Sequence, residues 1–305
     1  MEIRRYQQLA AQSDQVPGTD ERAVLVPLLG LAGEVGSLLS EYKKQLRDGQ
    51  AHLRYRDEVE EDLGDLLWYV ANVASKFGLD LGEIAERNLE KVHERWPEMN
   101  EGRTLLGEGF HLFDSDFPSN EQLPRQFEAA FREVDIADNR RVEVQVNGVQ
   151  VGDSLTDNWP DDDGYRFHDV FHFAYAAVLG WSPRMRQLLK CKRKSIPKMD
   201  EVEDGARAGI AEELVSHLIF AYAREHNFLD GVGSIDYHLL KTIKSVVKGW
   251  EIQARSMSDW ESAILQGFES WRQIRLNGGG RVQANLPNRT LTFVAEPTPE
   301  LPPRH

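Results

Sequence analysis

Residues 30–44 read GLAGEVGSLLSEYKK, an apolar stretch that opens with three glycines and is interrupted by two glutamates. Its larger apolar residues recur every three or four positions, as on one face of a helix: Leu31, Val35, Leu38, Tyr42 and, just beyond, Leu46. Residues 56–77 and 81–96 repeat this spacing, and a Gly or Pro follows each of them. We therefore predict that residues 1–98 form an all-helical domain with these apolar stripes turned inward.

The remaining residues, 99–305, combine helical segments with two hairpin signals. In RVEVQVNGVQVG, valines alternate around Asn147-Gly148, a pair that favours a type I′ turn, and RVQANLPNRTLTFV has a similar pattern. Amphipathic runs fill most of the sequence between Tyr165 and about Arg275. The predicted fold class is mainly α: an N-terminal helical bundle, then a mostly helical C-terminal domain with hairpins near 141–152 and 281–294.

Composition limits the classes of function. The chain has 305 residues and a formal net charge of −14, which argues against extended contact with a nucleic-acid backbone. Its single cysteine, Cys191, fits a reducing compartment. No run approaches the roughly 18 consecutive apolar residues of a membrane span, so we expect a cytoplasmic protein that does not cross a membrane.

Two predicted helices each carry acidic residues on one face. Glu34, Ser37 and Glu41 share a face of the first helix, where the small Gly30 and Gly33 leave room. Four carboxylates share a face of the second: Glu58, Glu61, Asp62 and Asp65. Like charges at this spacing repel, and Mg²⁺ would neutralise them through oxygen ligands. The alternative is that these residues are ordinary solvent-facing carboxylates.

The third helix places a hydrogen-bond donor and two cations on one face: Asn88, Lys91 and Arg95. On their own these three residues are typical of a solvated surface. Beside a metal site they would suit contact with phosphate groups.

These residues resemble a known family. GLAGEVGS, followed by EEDLGDLLWYVANVASKFGLDLGEIAERNLEKVHERW, is similar to the MazG branch of the all-α nucleoside triphosphate pyrophosphohydrolases. In that family an ExxE motif on one helix and an ExxD motif on the next bind Mg²⁺, and an Asn and a Lys on a third helix contact the phosphates. The resemblance implies Glu34, Asp62 and Asp65 as metal ligands, with Asn88 and Lys91 at the phosphates.

The sequence departs from the family pattern at two positions. Ser37 stands where the second Glu of ExxE is expected, and Asp62 replaces a longer Glu. Glu41, one turn beyond Ser37, and Glu61, beside Asp62, are the available substitutes. We therefore add Glu41 to the expected metal ligands and take Glu61 or Glu41 as the candidate catalytic base.

The activity that the resemblance implies is hydrolysis of a nucleoside triphosphate between its α and β phosphates, giving the monophosphate and pyrophosphate. The expected cofactor is Mg²⁺, with Mn²⁺ as a substitute. Lys44, Lys91 and Arg95 are expected to neutralise phosphate charge. An aromatic such as Trp68 or Tyr69 is expected either to stack on the base or to lie in the core or an oligomer contact. The alternative is a non-catalytic nucleotide sensor or regulator in which Ser37 marks a lost ligand.

Two further expectations concern assembly and the C-terminal half. A domain with about three long helices leaves an apolar face uncovered, so a homo-oligomer (dimer or tetramer) or the chain's own second half is expected to cover it. The string DDDGYRFHDVFHFAYAAVLGWSPRMRQLLKCKRKS resembles the C-terminal extension of a subset of MazG-like proteins. Within it His168, Asp169 and His172 lie in one helical turn and either bind a transition metal or are buried and hydrogen-bonded.

Overall fold

The computed structural model describes residues 1–95, 110–136 and 139–295, and the chain divides into two compact units, Met1–His93 and Glu94–His305. The first unit is helical throughout its regular structure. The second is mostly helical and contains one antiparallel sheet. The predicted fold class, mainly α, is confirmed.

Four helices make up the first unit: α1 (Ile3–Gln12), α2 (Glu21–Asp48), α3 (Tyr55–Lys76) and α4 (Leu81–Arg95). The start of α2 is fixed by Asp20, whose carboxylate accepts a hydrogen bond of 2.9 Å from the backbone N–H of Ala23. Since α2 begins at Glu21, Pro27 lies inside the helix, in its second turn. α2 and α3 pack against each other as an antiparallel pair.

The outer face of α2 is apolar, contrary to the prediction that its stripe points inward. Val35, Tyr42 and Leu46 are exposed, while Leu31 and Leu38 are half-buried. Exposed apolar residues follow a three- and four-residue alternation along the whole helix: Leu25, Leu28, Ala32, Val35, Leu39, Tyr42 and Leu46. This is the spacing of a coiled-coil seam, so α2 presents a surface suited to another helix.

By length and composition α2 could also cross a membrane, although its apolar residues are not consecutive. A helix of a soluble bundle can have the same length and composition. The side of α2 opposite the seam carries Glu34, Glu41 and Gln45, which are half-buried or buried in this structure.

The small core of the first unit lies where α1 and the start of α4 meet α3. Ala10, Ala71 and Leu81 are buried there, with Tyr6 and Trp68 packed against them. Farther along α4, Ile84 and Leu89 are exposed, although the periodicity predicted them to be buried. The first unit therefore leaves apolar residues uncovered on several helices.

The second unit contains six α-helices and five strands in its described part. The helices are α5 (Asp169–Ala174), which continues into a π-helical turn at Tyr175–Leu179, α6 (Pro183–Leu188), α7 (Pro197–Val202), α8 (Ala206–Glu225), α9 (Tyr237–Val246) and α10 (Met257–Asn277). The strands are β1 (Gln126–Ile136), β2 (Asn139–Val146), β3 (Val149–Gln150), β4 (Gly279–Asn285) and β5 (Thr290–Val294).

Both predicted hairpins are present, and a strand that the sequence analysis missed joins them. β2 and β3 turn at Asn147-Gly148, both with positive φ, and β4 pairs with β5. β1 lies between the two hairpins, giving one antiparallel sheet in the order β3-β2-β1-β4-β5. The alternating valines of β2, Val142, Val144 and Val146, are buried as the pattern predicts.

The core of the second unit lies between this sheet and the helices. Every residue of α5 is buried, and α10 packs against both α5 and the sheet. Three tryptophans are fully buried in or beside this core: Trp181, Trp260 and Trp271. Gly279 begins β4 where a Cβ would lie 2.6 Å from the carbonyl oxygen of Phe131, so only glycine fits there.

Candidate active site

The contact between Gly30 and Tyr69 aligns α2 with α3. A Cβ added to Gly30 would lie 2.2 Å from the tyrosine ring, whereas one on Gly33 would meet nothing within 4 Å. Tyr69 therefore fills the space beside Gly30. The expectation that Gly30 leaves room beside a metal is wrong for this position. On the same face, the carboxylate of Glu41 on α2 lies close enough to that of Asp62 on α3 to affect its pKa.

Glu41 is buried on the face of α2 that meets α3. One of its oxygens accepts a hydrogen bond from the Lys44 ammonium, and the other lies 2.9 Å from Nε2 of His52. The Lys44 ammonium holds the pKa of Glu41 below its usual range, against the opposing effect of burial and with help from His52. Glu41 is therefore a carboxylate with both oxygens already occupied by nitrogen groups.

Asp62 faces the same cluster and has an unsatisfied oxygen. Its Oδ2 is buried and has no hydrogen-bond partner among the described residues. Burial raises the pKa of Asp62, and the nearby carboxylates of Glu41, Glu58 and Asp65 raise it further. An unpaired buried carboxylate oxygen among like charges is a position where a cation would be stabilised.

Gln45 adds a second buried oxygen to this face, and the sequence analysis missed it. It lies one turn beyond Glu41 on α2, and its Oε1 is buried without a hydrogen-bond partner in the described part of the chain. Its position four residues after Glu41 was the available signal. Mg²⁺ prefers oxygen ligands, so these oxygen atoms and the cluster's negative charge fit that ion.

The remaining predicted residues differ in their surroundings. On the same two helices, Glu34 is half-buried, and Glu61 and Asp65 are exposed. Within the described residues Glu61 has no side-chain hydrogen bond or ion pair. Lys44 is half-exposed in its ion pair with Glu41.

The predicted nucleotide contacts lie mainly on α4. Asn88 and Lys91 are exposed on this helix, and the side chain of Arg95 falls outside the described residues. Trp68 instead packs in the small core, where its indole N–H donates a 2.8 Å hydrogen bond to Oγ of Ser13. The structure gives Trp68 a packing role, and its stacking on a base stays a prediction.

Comparison with known proteins places these elements in a family. A model of the MazG nucleotide pyrophosphohydrolase domain matches residues 26–100, and a model of the MazG C-terminal domain matches residues 108–297. The chain belongs to the MazG family. Gene 37 protein of Mycobacterium phage L5 is 34% identical to this MazG chain over 101 residues, which are 31% of the chain and 89% of the phage protein. No solved structure matches it.

A tighter group of ligand-type side chains lies in the MazG C-terminal domain. The group consists of His168, Asp169 and His172, whose ligand atoms all lie within 4.8 Å of one another. No other set of three His, Cys, Asp or Glu side chains in the described part of the chain meets this distance. Burial would lower the pKa of His172, but the carboxylates of Glu212 and Glu213 outweigh it and raise that pKa to about 10. In the absence of metal, a positive charge is therefore stabilised here.

Proposed function

We propose that the α2–α3 face of the MazG domain binds Mg²⁺, with Mn²⁺ as a substitute, and hydrolyses nucleoside triphosphates between the α and β phosphates. The observation that carries this proposal is the pair of buried, unpaired oxygens, Oδ2 of Asp62 and Oε1 of Gln45, beside a cluster of carboxylates. In a domain matched by the pyrophosphohydrolase model, such a cluster suits a divalent cation better than a solvated surface.

The proposed ligands are Glu34, Glu41, Asp62 and Asp65, and Glu41 would exchange its contact with Lys44 or His52 for the ion. Bound Mg²⁺ would supply charge neutralisation for the phosphates and a water of lowered pKa. Ser37 offers no carboxylate, and Glu41 one turn later lies near Asp62. The buried amide oxygen of Gln45 lies a further turn beyond Glu41, so it would add a neutral ligand beside Glu41 and not in the place of Ser37.

Glu61 is the better candidate for the residue that accepts the proton of the attacking water. It is exposed and unpaired in the described structure, whereas Lys44 and His52 occupy both oxygens of Glu41. Asn88, Lys91 and Arg95 are proposed to contact the phosphates, where Lys91 and Arg95 would offset the developing charge. The proposed role is control of nucleotide pools in the cytoplasm.

We also propose that the protein is a homo-oligomer, a dimer or tetramer. Support comes from the exposed apolar seam of α2 and from a second exposed series on α3: Leu63, Leu67, Val70 and Phe77. Helices with such seams associate because each buries apolar surface that water would otherwise cover. The same contact would account for an apolar α2 without a membrane.

The experiment is release of pyrophosphate by the full chain from a panel of NTPs and dNTPs with Mg²⁺. Asp65→Ala should lower turnover at least 100-fold, equivalent to about 2.7 kcal/mol, because it removes a ligand of the cation. Glu60→Ala is the matched control, since Glu60 is an equally exposed carboxylate on α3 outside the predicted face. Tight nucleotide binding without turnover of any nucleotide would instead support the non-catalytic alternative.

A further inference from the structure

The sequence HDVFH at residues 168–172 forms one wall of a small polar centre inside the MazG C-terminal domain. His168 precedes α5, and Asp169 and His172 lie within it. The opposite wall is Glu213 of α8, whose Oε2 lies 3.4 Å from Nε2 of His172 and 3.9 Å from Nε2 of His168. Nε2 of His168 is also 3.6 Å from Oδ1 of Asp169.

Both imidazole rings are held so that Nε2 faces this centre. Nδ1 of His172 lies 2.8 Å from Oε1 of Glu212, and Nδ1 of His168 lies 2.9 Å from the carbonyl oxygen of Tyr165. Neither the carboxylate nor the carbonyl can donate, so each Nδ1 carries the hydrogen. In neutral rings this leaves the lone pair of Nε2 directed at the centre, as outer carboxylates and carbonyls do for metal-binding histidines.

The groups that hold the rings are themselves fixed. Glu212 is fully buried and also accepts hydrogen bonds from Oγ of Ser182 at 2.6 Å and from the backbone N–H of Arg184 at 2.8 Å. The ring of Tyr165 stacks on His168, with centroids 4.5 Å apart and planes 4° from parallel. The centre is therefore ordered by contacts that do not use its inward-facing atoms.

Nε2 of His172 is the observation that points to a ligand. It is buried and makes no well-formed hydrogen bond to any described residue, despite lying near Glu213. Three separations around this centre are long for hydrogen bonds: 3.4 Å from His172 to Glu213, 3.9 Å from His168 to Glu213 and 3.6 Å from His168 to Asp169. They resemble the spacing of about 3.4 Å between two ligands that each lie about 2.1 Å from one tetrahedral ion.

We propose that His168, Asp169, His172 and Glu213 bind one divalent first-row transition metal, through two imidazole nitrogens and two carboxylate oxygens. Nitrogen ligands select ions such as Mn²⁺, Fe²⁺, Co²⁺ or Zn²⁺ over Mg²⁺. The side chain of Glu213 is 33% exposed, so the ion can enter from its side. Arg184, which contacts the other oxygen of Glu213 at 2.6 Å and is partly exposed, lies at that entrance.

The test uses the full chain, stripped with a chelator and then equilibrated with Co²⁺ in excess Mg²⁺ so that the α2–α3 face is saturated. We expect one Co²⁺ per chain by elemental analysis, with visible absorption bands from mixed nitrogen and oxygen ligands. His168→Gln and Glu213→Gln should each weaken Co²⁺ binding at least tenfold and change the bands. Both positions are partly exposed, which favours folded variants, and thermal melting checks this.

His217→Gln is the matched control, because His217 is exposed one helical turn beyond Glu213 on α8 and lies outside the cluster. It should bind Co²⁺ as the unchanged protein does, and so should a chain carrying Asp62→Asn. Absence of bound Co²⁺ in excess Mg²⁺ would overturn the proposal. So would Co²⁺ binding that survives both His168→Gln and Glu213→Gln, or that is lost equally in His217→Gln.

Discussion

The buried Arg193 of the second unit is paired with two carboxylates, whereas two buried oxygens on the α2–α3 face of the first unit have no partner among the described residues. Arg193 is fully buried and contacts Asp204 and Glu251, each at 2.7 Å. On the α2–α3 face, Asp62 and Gln45 each keep a buried oxygen without a partner in the described structure. Complete pairing indicates a structural role, while missing partners mark where a ligand would be stabilised.

Apolar side chains show a parallel difference. The second unit buries its large aromatic residues in one continuous core, while the seam of α2 in the first unit is exposed. The second unit can therefore derive its stability from its own core. The first unit lacks a comparable core and is expected to depend more on association and on bound ions.

The largest effect should come from breaking a buried ion pair in the second unit. Asp204→Asn removes one of the two carboxylates that pair with the buried Arg193 guanidinium and should lower the free energy of unfolding by about 3–5 kcal/mol. Chemical denaturation followed by tryptophan fluorescence measures this free energy. In the first unit, Asp48→Asn removes an exposed pair with Arg47 and should leave the free energy of unfolding nearly unchanged. Equal effects of the two substitutions would contradict the contrast.

The next effect concerns the exposed seam of α2. Leu39 is 63% exposed, and Leu39→Glu should weaken self-association at least tenfold, or about 1.4 kcal/mol, by placing a charge where apolar surfaces meet. Analytical ultracentrifugation measures the dissociation constant of the oligomer. Leu276→Glu is the control, because Leu276 is 81% exposed at the end of α10 in the second unit. If the unchanged chain already sediments as a monomer, the oligomer proposal is wrong.

The sequence predicted the parts of the fold that depend on local periodicity. The alternating valines of β2 and the turn at Asn147-Gly148 are as expected. β1 was missed because charged residues interrupt its apolar alternation, which hid its hairpin with the adjacent β2. Its other partner, β4, is remote in the sequence, and Gln126 pairs there with Asn285. Local pattern cannot report pairing between such distant segments.

The orientation of α2 could not be predicted for a related reason. Periodicity predicted that the apolar stripe of α2 meets α3, but the side with Glu34 and Glu41 does so instead. The buried Glu41 and the close approach of Tyr69 to Gly30 make that choice. In the second unit, the spacing of His168 and His172 was visible in the sequence, but Glu212 and Glu213 reach them only through the fold.

A pair of glycine substitutions tests the packing that aligns the α2–α3 face. Gly30→Ala places a Cβ against the ring of Tyr69 and should lower stability by about 1–3 kcal/mol. Gly33→Ala enters open space in the same helix and should raise stability by about 0.5–1 kcal/mol, since alanine loses less backbone entropy on folding. Urea denaturation of both variants measures the difference. A gain in both would show that Tyr69 does not pack on Gly30.

The smallest effect distinguishes a metal site from a surface cluster. Asp62→Asn removes one of several repelling carboxylates, so the metal-free protein should become more stable by about 0.5 kcal/mol, which is roughly 2–4 °C in the melting temperature of a domain this size. Mg²⁺ should raise the melting temperature of the unchanged chain but not that of Asp62→Asn. Glu60→Gln, on the same helix outside the cluster, should keep the response to Mg²⁺. If the cluster were only a solvated acidic surface, Mg²⁺ would change the melting temperature of all three proteins by the same amount, and the proposal of a metal site would be wrong.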